Sequence, residues 1–512
     1  MLHARSLIAA ALAGLAAAPA LAADDTMVWG KPAEITGFDV HVVGTVASWE
    51  MYQMVYETLL TTDADMALRP GLAESWEQVS DVAYRLVLRE GAAFSNGRAV
   101  TTEDVIGTFE RITDPETASY WARQFGEIET VEATGPREVT ITLARPHTAF
   151  LPALAHISAA VIPVKEWRDG TFDPTSQMLG SGPYRVVEHN QDESWTLEAN
   201  PHYGGPDAPK VERLEAPIIP DESARIAALR DGRIYFTTFE NPDVSMLLGG
   251  DENIEIDAIR TTNYYRVDVN ALSEESPFSD ERVRRAMSLA VDREAINAAV
   301  FGGSTEVDYP VPRAFATGAC EDAPSYAGTR EARLERARAL LAEAGNESPS
   351  VQLMASSANP TLGRIAQVMQ QSLAEAGFEV EIEQVPTAEY LQRVFTDGDF
   401  DFSLSWLAGY TDPSMVIAWW NPRFAVWNGV FHEYDEDLAQ ALEAVKTLPA
   451  GEARDAKLKE ICGMIDRQAN ILALTSKVDY LVSRSDKVEV VADAVSGSSN
   501  TYRHVAEFES LD

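Results

Sequence analysis

Between residues 350 and 385 the spacing of apolar residues changes period twice, and this limits the possible folds more than any other feature. Val351-Gln-Leu-Met354 reads as a short strand. From about Thr361 a helix carries Ile365, Met369, Leu373 and Ala376 on one face and stops at Gly377. Phe378-Glu-Val-Glu-Ile-Glu-Gln-Val385 then alternates as a second strand. Two strands joined through a helix run parallel, with a right-handed crossover. A helix at about 387–396 and a strand over Phe400–Trp406 continue the pattern, and an amphipathic helix over Arg333–Ala344, ended by Gly345, precedes it. The chain after residue 270 is therefore α/β. Before it, Tyr84–Arg89 and Glu138–Leu143 alternate as half-buried strands around a helix opened by Thr101-Thr-Glu-Asp104, with Val105, Ile106 and Phe109 on one side. Two lobes follow, one on each side of residue 270.

At ~150 residues per unit, 512 residues make about three structural units. The first of them is shortened by its leader. Arg5, the apolar run Leu7–Ala18, Pro19 and Ala20-Leu21-Ala22 predict a secretory signal peptide over residues 1–22. The run is shorter than the ~20 residues a membrane span needs. Its removal deletes one Arg and no acid, leaving 490 residues with 40 bases against 80 acids, a formal charge of −40. That sign excludes sequence-independent nucleic-acid binding and disfavours anionic membrane surfaces. The product is expected to be exported, soluble, monomeric and not membrane-embedded. Its two cysteines, Cys320 and Cys462, either form a disulfide or remain buried free thiols; an oxidising compartment favours the bridge.

The templates for chemistry fail one by one. There is no G-x-S-x-G, no S-x-x-K set, no H-E-x-x-H and no P-loop. His432-Glu433 starts like a zinc helix, but Glu436 stands where the second histidine belongs. Asp397, Asp399 and Asp401 have the spacing of a calcium loop, yet Phe402 replaces its glycine and Ala408 its bidentate acid. With two cysteines and scattered histidines, no metal and no cofactor are expected. Gly180-Ser-Gly-Pro-Tyr184 runs into a strand and lacks the lysine of a phosphate cradle, so it reads as a turn. Aromatic residues are more telling. Trp406, Tyr410, Trp419, Trp420 and Trp427 crowd one stretch. Trp419 and Trp420 are assigned to core; Trp406 and Tyr410 flank a strand end, where open α/β sheets bind ligands.

Several segments resemble the peptide-type (oligopeptide/dipeptide, family 5) solute-binding proteins of ABC importers. They are Tyr56-Glu-Thr-Leu-Leu60, Arg69-Pro-Gly-Leu-Ala-Glu-Ser-Trp76, Leu88-Arg-Glu-Gly91 onward to Gly97, Thr102-Glu-Asp-Val105 and Gly180-Ser-Gly-Pro-Tyr184. Asn200-Pro-His-Tyr203, Pro277–Ala286 with Ala290-Val-Asp-Arg-Glu294, and Ala339–Gly345 complete the series in order over nearly the whole mature chain. The resemblance implies a two-lobed periplasmic binding protein clamshell. Its lobe I core would be 23–60 plus 178–270 plus 485–512, with an inserted subdomain at 61–177, and lobe II would be 271–484. The first hinge crossing would be Tyr264–Asn270. Cys320 and Cys462 would then share lobe II, which strengthens the case for a bridge.

The same resemblance implies a periplasmic protein that captures a small-molecule or peptide ligand between its lobes and delivers it to ABC transporter permease subunits, without chemistry. Trp406, Tyr410 and Tyr264 would give stacking surface. Gly409 would allow close backbone approach, and Thr411, Asp412, Thr45 and Trp49 would offer polar or edge contacts. Asp412 has a second reading, as the cap of the next helix. Dipeptide-binding members place an Asp where this chain has Gly409 and an Arg where it has Ser356. A dipeptide held by its termini is therefore not expected; an oligopeptide or a non-peptide solute is. From other classes, a secreted hydrolase on this scaffold would show turnover, and a ligand-loaded partner of a membrane sensor would lack a neighbouring permease gene.

Overall fold

A computed structural model describes residues 25–63, 66–119, 121–206, 208–424, 426–493, 495–496 and 502–511. The signal-peptide segment 1–22 lies outside the described residues.

Three sheets organise the chain. In the first, Thr26–Val28 runs parallel to Arg213–Pro217, which continues antiparallel through Ser194–Ala199 to Tyr184–Asn190. In the second, the order is Phe236–Phe239, Ile471–Arg484, Ile254–Val269, Phe402–Leu407, Ser350–Ser356 and Glu379–Val385. The third is antiparallel, in the order Ala73–Ser80, Ala83–Leu88, Glu138–Leu143, Ile128–Ala133.

The expected βαβ unit is present: Ser350–Ser356 pairs in parallel with Glu379–Val385 across the helix Pro360–Ala374. Ile365, Met369 and Leu373 on that helix are fully buried. The helix stops three residues before Gly377, whose φ of +115° lets the chain turn back into the strand. The segment at 387–396 departs from a regular helix. It is helical over Thr387–Gln392 and widens into a π turn over Arg393–Asp397. The helix Thr102–Thr113 is fixed by a capping box between Thr101 and Asp104, and its buried row is Val105, Phe109 and Ile112, with Ile106 only half-buried.

The two longest strands, Ile254–Val269 and Ile471–Arg484, pair with each other along most of their length. Their register slips between Arg260 and Tyr264 and again before Arg266. Below the slip they belong with Phe236–Phe239; above it Ile254–Val269 pairs with Phe402–Leu407. Bulges add local bend and twist at the point where the chain passes from one half of the molecule to the other. Separate cores lie on the two sides, one around Trp29, Trp49, Tyr184 and Trp195, the other around Val267, Met287, Leu353 and Phe402. A third runs continuously from the antiparallel sheet (Leu86, Ile141) and the helix packed on it (Phe109) to Tyr410, Trp419 and Trp420, so the halves touch. Thr148 donates to the Lys446 carbonyl at 2.9 Å and Arg145 pairs with Glu443 at 2.8 Å across that contact.

Cys320 and Cys462 are bridged, with their Cα atoms 5.2 Å apart. The bridge ties the loop before Arg330–Ala344 to the helix Glu452–Gln468.

Candidate functional site

The helix Val46–Val55 follows Thr26–Val28, the opening strand of the first sheet. Gly180 and Gly182 pack on its last turn, where any side chain at either position would overlap the Val55 backbone. The glycine run is thus a helix-packing turn and no phosphate cradle. The helix aligns Val46, Ala47 and Glu50 along one side of a cavity of about 500 Å³. Ala358–Thr361, at the start of the crossover helix, lines it from the other half of the molecule. Lys477 and Asp479, on the second long strand, line it at the strand crossing, beside Thr238, Glu240 and Asn241.

Glu50, Asp221, Glu222, Arg225, Glu240, Lys477 and Asp479 line this cavity, and Lys31 is buried behind it within electrostatic reach of Glu50. Lys477 is 3.2 Å from Glu240 and is also bonded to Asp479. Burial works against its charge, but the two carboxylates outweigh it and raise its pKa above that of an ordinary lysine. Its ammonium also lies 5.3 Å from the Trp406 ring centroid. Burial raises the Asp479 carboxyl, with Lys477 opposing. Lys31 is fully buried, donates to the Ala47 carbonyl at 2.9 Å, and is lowered by burial against Glu50 and Glu34. Burial pushes Glu50 up to about 7, with Lys31 opposing. Among the described residues no group of three or more His, Cys, Asp or Glu is placed to hold a metal ion.

The residues nominated from sequence do not share one site, and none of them lines the cavity. Trp406 is half-buried on Phe402–Leu407, under Lys477 and so beside the cavity. Gly409 donates its N–H to Asn263 Oδ1 at 2.7 Å, and a Cβ there would overlap the Thr262 carbonyl. The close approach it permits is to the crossing strand. Tyr410 and Trp49 meet through His156: Trp49 is edge-on to the imidazole at 4.8 Å, and Tyr410 lies 5.8 Å from it and 5.3 Å from Trp121. Thr411 donates to the Pro152 carbonyl at 3.2 Å, across the contact between halves. Asp412 caps the helix Pro413–Ile417 through the Ser414 N–H and pairs with Arg454 at 2.6 Å, both side chains buried. Tyr264 is fully buried, stacks on Trp420 at 6.5 Å, and its hydroxyl has no hydrogen-bond partner among the described residues. Thr45 precedes the helix Val46–Val55 and hydrogen-bonds Ser48 and Thr36. Ser356, where dipeptide binders carry Arg, shares a 2.8 Å hydrogen bond with Thr387.

Sequence reasoning missed Lys31, Glu50, Glu240, Lys477 and Asp479. One signal was available: Glu50 interrupts the otherwise apolar Trp49-Glu-Met-Tyr52 in a helix, an expensive place for a carboxylate without a task.

Two α/β halves joined by a pair of long crossing strands, with a polar cavity at the crossing, define a two-lobed periplasmic binding protein fold. Residues 67–425 match the model for bacterial extracellular solute-binding proteins, family 5, Middle. The chain belongs to that family. It is 27% identical over 470 residues to the glutathione-binding protein GsiB of Salmonella typhi, spanning 87% of this chain and 89% of the relative. The GsiB of Escherichia coli O157:H7 is 28% identical over 466 residues, 86% of this chain and 88% of its own. Among solved structures, NikZ from Campylobacter jejuni in complex with Ni(L-His) superposes with a TM-score of 0.82 at 22% identity, covering 95% of this chain and 100% of that one. The ABC transporter-associated periplasmic binding protein DppA from Helicobacter pylori, in complex with the peptide STSA, gives 0.80 at 22% identity, covering 95% and 98%.

Proposed function

We propose that this chain captures one solute in the cavity between its lobes, closes on it by bending at the two strand crossings, and presents it to the permease of an ABC importer. It works in the periplasm, after loss of residues 1–22, by binding and without chemistry. The observation that carries this is the cavity itself, about 500 Å³, lined by residues 32–50 and 220–241 on one side, by Ala358–Thr361 on the other, and by Lys477 and Asp479 of the second long strand. Its size lies in the range of small-molecule sites. A cavity shared by two bodies couples occupancy to closure, because the ligand contacts both only when they approach. The lobe division at residues 270–271 and 484–485, and the role of 61–177 as an inserted subdomain, belong to the same proposal.

The solute is an oligopeptide or a non-peptide compound, and not a dipeptide held by its termini. Gly409 has no room for an acidic side chain against Thr262, and Ser356 offers a hydroxyl already engaged with Thr387 in place of a cation. The relatives bind glutathione, a peptide and a nickel–histidine complex, a breadth that fits a scaffold whose cargo is set by a few lining residues. Lys477 lines the cavity with the Trp406 ring 5.3 Å behind its ammonium, and this pair would receive an apolar or aromatic part of the solute if the ring becomes accessible on binding. Native mass spectrometry of the mature protein from its own periplasm, followed by denaturation, tests this. A single bound solute larger than or unrelated to a dipeptide is expected; release of a two-residue peptide would overturn the ligand assignment.

A further inference from the structure

Glu50 is 8% exposed and lines the cavity, yet no described residue hydrogen-bonds or ion-pairs with its carboxylate. A buried carboxylate without a partner is costly, and native proteins retain one where something else completes it. The lysines nearby do not complete it. Lys477 is already bonded to Glu240 and Asp479, and the Lys31 ammonium donates to the Ala47 carbonyl. The two lysines therefore face four carboxylates, Glu34, Glu50, Glu240 and Asp479, and of those that line the cavity Glu50 is the one neither lysine bonds. At the rim Asp221 and Glu222 add acid, while the Arg225 guanidinium is turned onto the carbonyls of Ile219 and Pro220 at 2.8 and 2.9 Å.

We infer that Glu50 receives a cationic group of the solute, an ammonium or guanidinium, so that this cleft selects positively charged cargo. The inference rests on the cleft being the solute site. A cation set on Glu50 offsets its charge and supplies the missing hydrogen bonds. The same step selects against neutral and anionic analogues, which leave the carboxylate desolvated and without a hydrogen bond. With the cavity empty, burial raises Glu50 to about 7; a bound cation stabilises the ionised form, so binding weakens as pH falls through that value. The other charged or titratable groups facing Glu50 are Lys31, Lys477, Glu240, Asp479 and Tyr502.

The cation could sit on a peptide side chain or on a free amine, so the test has two arms, read by thermal shift and calorimetry on mature protein stripped of solute in urea. One arm compares the tripeptides Gly-Arg-Gly and Gly-Lys-Gly with Gly-citrulline-Gly and Gly-Glu-Gly. The other compares agmatine and putrescine with their neutral carbamoyl and acetyl derivatives. At least one cationic probe is expected to bind at least about tenfold more tightly than its neutral counterpart. In Glu50→Gln that preference falls below about threefold, while the free protein melts no lower than wild type. The wild-type affinity for that probe is also expected to drop between pH about 7.5 and about 5.5. This arm stands even if the variant does not fold. Failure of every cationic probe to bind, equal binding of a neutral counterpart, or a preference and pH dependence that survive in Glu50→Gln would each overturn the inference. Ala47→Trp, which fills the cavity, separates the two levels. Charge-indifferent binding that Ala47→Trp abolishes refutes only the role of Glu50; binding that Ala47→Trp leaves intact refutes the cleft.

Discussion

Gly409 stands where an acidic side chain would be needed to hold a peptide amino terminus, and its surroundings explain why none is there. Its N–H bonds Asn263 and any Cβ would overlap the Thr262 carbonyl, so the loop after Phe402–Leu407 is seated on the crossing strand. Gly409→Ala is expected to destabilise the protein by about 1–3 kcal/mol through backbone overlap, read by urea unfolding. His156 is a second residue whose setting dictates behaviour. Burial among Trp49, Trp121 and Tyr410 lowers its pKa to about 3. The unfolded chain takes up that proton at about 6.5. The stability this neutral ring preserves is therefore complete above 6.5 and is lost as pH falls toward 3. Between pH about 7 and about 4.5, wild type should lose about 2 kcal/mol more stability than His156→Asn, which keeps an acceptor for Ser158 but does not titrate. Equal losses would contradict this.

At the scale of elements, the regular periods were readable. Ser350–Ser356, Pro360–Ala374 and Glu379–Val385 form because β-period and helix-period apolar spacing are unmistakable over these lengths. The π turn at Arg393–Asp397 was not readable, because nothing in the spacing separates it from a continuing helix. The cavity was not readable either. Its residues come from 32–50, 220–241, 358–361 and 477–479, and only the crossing of the two long strands brings them together. Lys477 and Asp479 sit on one face of a strand that otherwise looks like core. Trp406 and Tyr410 share the signal of a strand end, yet they part in the fold: Trp406 lies under Lys477 beside the cavity, and Tyr410 packs against Trp121 and Trp419. The Cys320–Cys462 bridge belongs at this scale too. It closes a separation of 142 residues, and replacing both cysteines with Ser is expected to cost about 2–5 kcal/mol, visible as a lower Tm under non-reducing conditions. An unchanged Tm would show that the helix Glu452–Gln468 holds its place without it.

For the whole molecule, the mature chain's formal charge of −40 sets nucleic acid aside. The same sign now bears on cargo, since an acidic surface raises the local concentration of small cations near an acidic cleft. The lobes make direct contacts through Thr148 with Lys446, Thr411 with Pro152 and Arg364 with Asp243, and the cavity is lined at the crossing of the two long strands by Lys477 and Asp479. Binding and closure are then one event, read by how much solute the protein carries. The decisive measurement is native mass spectrometry of wild type and Ala47→Trp purified in parallel from the periplasm. Wild type should carry one solute per chain, and Ala47→Trp, folded to the same Tm, should carry none. An equal solute load on Ala47→Trp would contradict the assignment of this cavity as the binding site.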